Sequence, residues 1–488
     1  MADSQSEAIA FLRALTGTEP VQTHISFIFI GVNTVFKLKR SVRLPYLDFT
    51  NPDTRRRMAM RELELNAPAA SGLYLDVQPI VRRDDGGLAL GGEGSPIDWV
   101  IRMARVPEAD LFDQLAAEAR LTPGLLDQLA DAVAAYHTQR TPAHLDHPVG
   151  AMRRAILGNA RSAEETEIPR DLIREWQDSA LHHLERLSAW IERRASLGFI
   201  RRAHGDLHLG NICLWRGKPT LFDALEFDEE LATIDLGYDL AFLLMDLEQQ
   251  VSRPAANRVM NRYIAVTGDV GLTRGLPLFL SVRSFVRGHI AATRKNPEWH
   301  GYAQAARAYL RPAPPVLVAV GGLPGTGKST LARALAPELG AAPGAVVLRS
   351  DEVRKRLSGT QPECKLPQEA YSESVSRAVV AELIRQAAEA ATGAHAVIAD
   401  ATFLDPADRK AIASSANGAP FIGLWLDAPL RVLEQRVAAR QGDASDATIA
   451  VLQAMAARAA RQPDWTVVDS TDGGRALAAA RQALHGSH

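Results

Sequence analysis

The most constraining feature of the sequence is a glycine-rich segment, GLPGTGKS, at residues 322–329. It matches the pattern G-x-x-x-x-G-K-[S/T], with the apolar run 316–320 before it and a helical pattern beginning at Ser329. Glycines let consecutive backbone N–H groups curve around a phosphate, and the N-terminus of the following helix adds partial positive charge. The sequence therefore predicts a strand, a phosphate-binding loop and a helix.

Single residues of this loop have distinct expected roles. Lys328 is suited to the β- and γ-phosphates of a nucleotide, and the hydroxyl of Ser329 is suited to Mg²⁺. Only 8 of the chain's 55 lysine and arginine residues are lysines, so a lysine inside such a motif is a selected feature. The predicted nucleotide-binding residues here are Gly322, Gly325, Thr326, Gly327, Lys328, Ser329 and Thr330.

The rest of the last segment alternates between strands and helices. Strands are predicted at 345–348, 396–399 and 421–426, and a helix at 378–391. Strands that alternate with helices are typical of an α/β fold with a parallel sheet.

Charged residues follow these strands. Carboxylates at the carboxyl ends of parallel strands lie in the ligand crevice. Asp351 is predicted to take a proton from a substrate hydroxyl, Arg354 to hold an anion and Asp400 to contact Mg²⁺; a helix cap is the alternative for Asp351. Arg436 and Arg440, four residues apart, are predicted to close over the nucleotide, with a solvated helix face as their alternative.

These motifs resemble the small P-loop kinases, a group that includes gluconate kinase, shikimate kinase and zeta-toxin-like kinases. The resemblance covers about 316–488 and implies transfer of a phosphoryl group, with Lys328 and Asp351 as catalytic residues.

A second constellation begins with HGDLHLGN at 204–211, which has the H-x-D-x-x-x-x-N spacing of a kinase catalytic loop. Asp206 is predicted to orient the acceptor hydroxyl and take its proton, and Asn211 to bind Mg²⁺. A short predicted hairpin then brings Asp223 next to the loop as a second metal ligand. An ordinary turn capped by Asp206 is the alternative.

Phosphoryl transfer of this type also needs an upstream lysine paired with a glutamate on a helix. Lys37 ends a strand-like run, and the next helix carries Glu62, which we prefer as its partner, and Glu64, which stays open. Lys37 and Met103, which lies at the end of the strand-like run 97–103, are predicted to bind the nucleotide. No glycine-rich phosphate loop precedes Lys37.

This second set resembles the aminoglycoside phosphotransferase and choline kinase family, especially the subgroup fused to a P-loop kinase domain. The segments THIS (23–26), KLKR (37–40) and DLAFL (239–243) share the resemblance. It implies an α+β, bilobal, protein-kinase-like (aminoglycoside phosphotransferase) domain, followed by an α/β P-loop kinase domain with a parallel sheet.

The proline-rich segment 312–315 predicts the boundary between the two domains, because such segments are stiff and extended. The first domain is placed at 1–311, with an N-lobe at about 1–103 and a C-lobe at about 104–311. The second is placed at 316–488.

Composition narrows the function classes. With 47% hydrophobic and 23% charged residues, a net charge of −2 and 2 cysteines, the chain is typical of a globular protein of a reducing, cytoplasmic compartment. No apolar run approaches the 18 residues of a membrane span. The charge balance disfavours nucleic acid as a partner, and the oligomeric state stays open.

The sequence predicts a bifunctional phosphotransferase that uses ATP, or GTP, with Mg²⁺. Its acceptors would be hydroxyl groups of a sugar, amino sugar or related metabolite. Acidic residues at 226–230 favour a cationic acceptor, whereas Arg283 and Arg287 on one helix face favour an anionic one. A solvated surface is the alternative for both sets, and we prefer it. The alternatives are a single kinase regulated by a nucleotide-sensing P-loop domain, and a nucleic-acid or protein kinase.

Overall fold

The computed structural model describes residues 4–44, 47–439, 444–458 and 464–485. The chain forms two compact units, one of residues 1–148 with 192–240 and one of residues 149–191 with 241–488. No helix in the described ranges has both the length and the apolar composition needed to cross a membrane.

Helices make up most of the regular structure. In chain order they are α1 (Ser4–Thr16), α2 (Pro52–Asn66), α3 (Phe112–Ala117), α4 (Pro123–Thr138), α5 (Pro148–Ala163), α6 (Arg170–Ser196), α7 (Glu229–Ala232), α8 (Leu236–Gln250), α9 (Arg253–Thr267), α10 (Leu276–Thr293), α11 (Trp299–Tyr309), α12 (Lys328–Leu335), α13 (Ser350–Leu357), α14 (Glu373–Thr392), α15 (Pro406–Ser414), α16 (Leu430–Ala438), α17 (Ile449–Arg458) and α18 (Gly473–His485).

Within the described residues, the strands fall into two larger sheets and three two-stranded ribbons. In chain order they are β1 (Val21–Gln22), β2 (Ser26–Ile30), β3 (Thr34–Lys39), β4 (Arg43–Leu44), β5 (Leu47–Asp48), β6 (Tyr74–Arg82), β7 (Leu88–Leu90), β8 (Ser95–Ala104), β9 (Ile200–Arg202), β10 (Ile212–Trp215), β11 (Lys218–Leu221), β12 (Thr233–Asp235), β13 (Leu317–Gly321), β14 (Val346–Arg349), β15 (Val397–Asp400), β16 (Phe421–Asp427) and β17 (Thr466–Asp469).

The first unit contains an antiparallel sheet in the order β1-β2-β3-β8-β6-β7. Side chains alternate between the two faces of a strand. In β3, Phe36 and Leu38 therefore pack in a core with Leu12 of α1, while Lys37 and Lys39 point to the opposite face, toward α2.

Helix α2 begins at a strong local signal. The side chain of Asn51 accepts a hydrogen bond from the Asp53 amide, and Pro52 occupies the first turn. This start sets the helix so that Glu62 is buried on the side facing β3.

The second unit contains a five-stranded parallel sheet in the order β14-β15-β13-β16-β17. Its core is formed by apolar side chains of the inner strands and of α12, among them Val318, Val320, Ile398, Leu424, Leu331 and Leu335. The phosphate-binding loop follows β13, Asp351 follows β14, and Asp400 ends β15, so all three lie at one edge of the sheet.

Helix α9, which precedes the proline-rich segment, packs on the edge strand β14 within this unit. The Asn261 side chain accepts a hydrogen bond from the Val347 amide at 2.6 Å, and the Asn257 side chain donates to the Ala345 carbonyl at 3.0 Å. An edge strand otherwise presents unpaired backbone groups. Because α9 precedes residues 312–315 but belongs to the second unit, the division into two compact units does not coincide with the domain boundary predicted at 312–315.

Candidate active sites

The lysine–glutamate pair of the first unit lies between β3 and α2. Lys37 Nζ is 2.8 Å from Glu62 Oε1, and both side chains are nearly inaccessible to solvent. Glu64, the open alternative, pairs instead with Arg61 on the exposed side of α2 at 2.8 Å. Lys37 Nζ also donates to Asp223, whose side chain is 36% exposed.

The charges of this pair stabilise each other. Burial alone would lower the pKa of Lys37, but Asp223, Glu62 and Glu226 outweigh it and the net pKa is raised. Burial alone would raise the pKa of Glu62, but Lys37 and Lys39 lower it to about 2. Both groups are therefore charged at neutral pH.

The loop that carries Asp206 is held by Asp239 of α8. Asp239 accepts hydrogen bonds from the backbone amides of His204 (3.0 Å) and Gly205 (2.9 Å) and from the ring of His137 (3.1 Å). Gly205 has φ +84°, and a Cβ there would lie 3.1 Å from the Leu225 side chain, so the turn requires glycine.

His204 has a structural role in this arrangement. Its Nε2 donates to the Phe222 carbonyl at 3.0 Å. Burial lowers the pKa of the His204 ring by more than the carboxylates of Asp239 and Asp206 raise it. The neutral form of the ring is therefore favoured.

Asp206 and Asn211 contact each other directly. The Asn211 side-chain nitrogen donates to the Asp206 backbone carbonyl at 2.9 Å and to its Oδ2 at 3.0 Å. The amide oxygen is therefore the atom that Asn211 can offer to a cation.

The β10–β11 hairpin connects Asn211 to Asp223. Its register pairs Ile212 with Leu221 and Trp215 with Lys218. Asp223 adopts a left-handed backbone conformation, φ +61°, which is uncommon outside glycine and asparagine. Its amide donates to the Tyr74 hydroxyl at 3.2 Å, so the conformation is fixed by neighbours.

The donor set of the first unit fits a nucleotide-bound Mg²⁺. Within the described ranges, no group of three or more His, Cys, Asp and Glu side chains could hold a metal. Mg²⁺ in nucleotide sites is bound by one or two protein oxygens together with the substrate phosphates. One carboxylate and one amide oxygen, from Asp223 and Asn211, meet that requirement.

Two residues of this site were not predicted from the sequence as partners of Lys37 and Glu62. Lys39 is fully buried and donates to both Glu62 and Glu226. Glu226 is 4% exposed, so it is a buried partner of Lys39 and not part of an exposed acidic surface. The K-x-K spacing on one strand face was the available signal.

Met103 lies at the end of β8, opposite Val35 of β3. Its side chain is 9% exposed and packs in a cluster with Tyr74 and Cys213. Its contact with a nucleotide stays a prediction.

The phosphate-binding loop of the second unit is closed on itself by its lysine. Lys328 Nζ donates to the carbonyls of Gly322 (2.9 Å) and Leu323 (3.0 Å), and Thr326 Oγ1 also donates to Leu323 (2.8 Å). Gly322 has φ +136°, and a Cβ there would lie 2.5 Å from the Leu426 carbonyl oxygen. Thr330 is exposed in the first turn of α12.

An oxygen pair lies beside this loop. The Ser329 hydroxyl donates to Asp400 Oδ2 at 2.5 Å, and Arg349 Nε donates to the same oxygen at 3.3 Å. A hydroxyl and a carboxylate at the loop are the ligands that Mg²⁺ takes in nucleotide sites of this kind, so these residues fit the ion.

Asp351 is the second residue of α13, whose N-cap is Arg349 without a side-chain hydrogen bond, so Asp351 is not the helix cap. Burial raises the pKa of Asp351 despite the opposing charge of Arg349. Arg354 donates to the Ala370 carbonyl at 2.7 Å, and its guanidinium lies 4.8 Å from the centre of the Tyr371 ring.

The sequence analysis also did not predict a role for Lys355, a buried lysine near these residues. Lys355 is 1% exposed and lies 2.6 Å from Asp446 Oδ2. Asp446 also accepts from the Tyr371 hydroxyl and from the Leu366 amide at 3.1 Å. These contacts to Asp446 connect the segment after α13 to the segment before α17.

The contacts of Arg436 and Arg440 with a nucleotide stay predictions. Arg436 donates to the carbonyls of Ser470 (2.9 Å), Thr471 (2.8 Å) and, at 3.4 Å, Gly325 of the phosphate-binding loop. Arg440 lies outside the described residues.

Arg283 and Arg287 lie on α10 of the second unit. The Arg283 guanidinium is 4.7 Å from the centre of the Phe242 ring, and its side chain is buried. Arg287 pairs with Asp246 at 3.7 Å. Both have partners within the protein, and their predicted substrate contacts stay predictions.

Two family models match the chain. The model described as "Phosphotransferase enzyme family" matches residues 54–278, and the model described as "AAA domain" matches residues 317–462. The resemblances and the fold class predicted from the sequence are confirmed. With the two lysine-centred sites, these matches define a kinase in which a phosphotransferase region is followed by a P-loop kinase region.

Curated relatives match almost the whole chain. The uncharacterized proteins Rv2004c of Mycobacterium tuberculosis (strain ATCC 25618 / H37Rv) and Mb2027c of Mycobacterium bovis are each 30% identical to it over 467 residues. These matches cover 91% of this chain and 90% of each relative. The chain belongs to the family of these mycobacterial proteins.

Solved structures are similar to part of the chain. Choline kinase from Cryptosporidium parvum Iowa II is 11% identical with a TM-score of 0.40, and the match covers 63% of this chain and 94% of that one. A gluconokinase from Sinorhizobium meliloti 1021 is 22% identical with a TM-score of 0.25, and the match covers 36% of this chain and 100% of that one.

Proposed function

We propose that the chain is a bifunctional, ATP- and Mg²⁺-dependent kinase of small-molecule hydroxyl acceptors, with one active site in each unit. One observation supports the proposal most strongly: each unit holds a motif lysine next to oxygen ligands suited to Mg²⁺. Lys37 contacts Asp223 in the first unit, and Lys328 of the second unit is followed by Ser329, which hydrogen-bonds to Asp400. GTP is the alternative nucleotide.

In the first site, the oxygen of the acceptor hydroxyl would attack the γ-phosphorus, and the nucleoside diphosphate would leave. The side chain of Asp206 would take the proton of that hydroxyl. Asn211 orients the Asp206 carboxylate by donating to it at 3.0 Å. Asn211 and Asp223 would hold Mg²⁺, which neutralises charge on the phosphates when bound. Lys37, fixed by Glu62, would contact the phosphates.

In the second site, Lys328 would exchange its contacts to loop carbonyls for phosphate oxygens. Ser329 and Asp400 would hold Mg²⁺, and Asp351 would take the proton of the second acceptor, with Arg354 gripping an anionic part of it. We also propose a cytoplasmic location, because Cys213 and Cys364 are both free thiols.

A second candidate function is favoured by the packing of α9. This helix lies within the phosphotransferase match and hydrogen-bonds to β14, the strand that leads into Asp351. A P-loop region that senses nucleotide could thereby regulate the first reaction without transferring phosphate itself.

The test uses γ-labelled ATP, Mg²⁺ and a metabolite extract with the full-length protein. We expect Asp206→Asn to lower formation of one labelled product by about 10²- to 10⁴-fold, because a general base is lost. We expect Lys328→Ala to remove a different product. Matched controls are Asp84→Asn, at an exposed aspartate of the first unit, and Lys410→Ala, at an exposed lysine.

Two results would contradict the proposal. If one substitution removed every product and the other removed none, two active sites would be wrong. If Lys328→Ala changed only the rate at which the Asp206-dependent product forms, the P-loop region would be a regulator.

A further inference from the structure

Five charged side chains of the first unit form an alternating chain: Asp223, Lys37, Glu62, Lys39 and Glu226. Each oxygen of the Glu62 carboxylate is used by a different lysine. Lys37 contacts Oε1, and Lys39 contacts Oε2.

The same chain fixes the segment 223–226 at both of its ends. Lys37 and Lys39 lie two residues apart on one face of β3, and they contact Asp223 and Glu226, which are three residues apart. The segment that carries the proposed metal ligand Asp223 is therefore attached to β3 by two parallel ion pairs.

The Lys39–Glu226 ion pair is unusual because both of its side chains are buried. Lys39 and Glu62 are fully buried and Glu226 nearly so. Replacing a buried ion pair by apolar side chains is often neutral or stabilising, so packing alone does not favour these residues. The set holds two ammonium groups and three carboxylates, so loss of Lys39 alone would leave Lys37 facing all three acids.

We infer that Lys39 and Glu226 are positioning residues of the first kinase site: they hold Glu62 and the 223–226 segment so that Lys37 and Asp223 are placed for Mg²⁺ and nucleotide. The inference rests on the proposed function of that site. Lys39 is fully buried, and it acts through Glu62 and Glu226.

The test measures binding of Mg²⁺ with a non-hydrolysable ATP analogue by calorimetry. The full-length protein carries Lys328→Ala, so that the first site is observed alone. Lys39→Met is compared with Lys39→Met/Glu226→Gln, which removes one charge of each sign, and with Lys218→Met at an exposed lysine. The Mg²⁺ concentration at half-maximal binding is the second readout.

Removing partners of metal and nucleotide ligands typically costs about 10- to 100-fold in affinity. We expect Lys39→Met to lose about that much and to need more Mg²⁺. The double variant should lie between it and the parent protein, and Lys218→Met should bind as the parent does. If Lys39→Met does not fold, the charge-balanced double variant provides the comparison with the parent.

Parent-like affinity and Mg²⁺ dependence in the folded double variant would overturn the inference, because the second ion pair would then have only a structural role. Parent-like values in a folded Lys39→Met would do the same. Absence of nucleotide binding in the Lys328→Ala parent would instead overturn the proposed first site, and the inference with it.

Discussion

The lysines of the two candidate sites lie where one compact positive charge contacts several oxygens. Lys37 and Lys39 each contact two carboxylates, and Lys328 contacts two loop carbonyls. A lysine ammonium is a point charge that fits between several oxygens, whereas the planar arginine fork favours paired contacts with one group. Because arginine is far more common than lysine in the chain, the sequence analysis singled out Lys328 within its motif.

The pH dependence of the second reaction at low pH tests whether Asp351 is its general base. Burial raises its pKa, with a further contribution from Asp400. A base is active when deprotonated, so we expect kcat/KM for the Lys328-dependent product to fall as the pH is lowered, at a higher pH than for an ordinary aspartate. The pH profile of Asp351→Asn checks this: an unchanged rate and profile would exclude Asp351 as the base.

Contacts between residues were predictable where the spacing is local. The loop at 322–329 and the pair Asp206 and Asn211 lie within short motifs whose geometry is set by neighbouring residues. The contact of Lys39 with Glu226 joins positions 187 residues apart, and it depends on how β3 meets the segment after β11. The K-x-K spacing places Lys39 on the same strand face as Lys37, but a single sequence contains no signal for the distant acid that Lys39 contacts.

At the scale of elements, the edge strand β14 depends on α9. The Val347 amide donates to the Asn261 side chain, and Asn261 also donates to the Ala345 carbonyl at 3.2 Å. These bonds satisfy backbone groups that no strand pairs with on that side.

Removal of this side chain should loosen β14 locally. We expect Asn261→Ala to cost about 1–3 kcal/mol at that point, because a backbone amide loses its acceptor. Hydrogen exchange should then speed up in peptides covering 345–349, while exposed Gln435→Ala on α16 should leave them unchanged. Unchanged exchange in Asn261→Ala would show that the hydrogen bond does not stabilise the strand.

Elements with clear apolar patterns were predicted, and weak ones were not. The inner strands β13, β15 and β16 are continuous apolar runs, as parallel strands covered on both faces are. Strand β17 was not predicted, because three of its four residues are exposed. Helix α1 was not predicted either; its buried side is made by few residues, among them Ala8 and Leu12.

At the scale of the whole molecule, the proline-rich segment 312–315 lies between the two family matches, the first of which ends at 278 and the second of which begins at 317. It does not separate the compact units, because residues 241–311 belong with the P-loop region. A fragment cut at 311 would remove α9 from β14. Experiments on the two activities therefore need the full chain.

The number of nucleotide sites tests the central claim most directly. We expect calorimetry with Mg²⁺ and a non-hydrolysable ATP analogue to give two binding events per chain. Lys37→Met and Lys328→Ala should each leave one, and the double variant none. A single binding event in the unaltered protein, lost with one lysine and unaffected by the other, would contradict the account of two kinase sites.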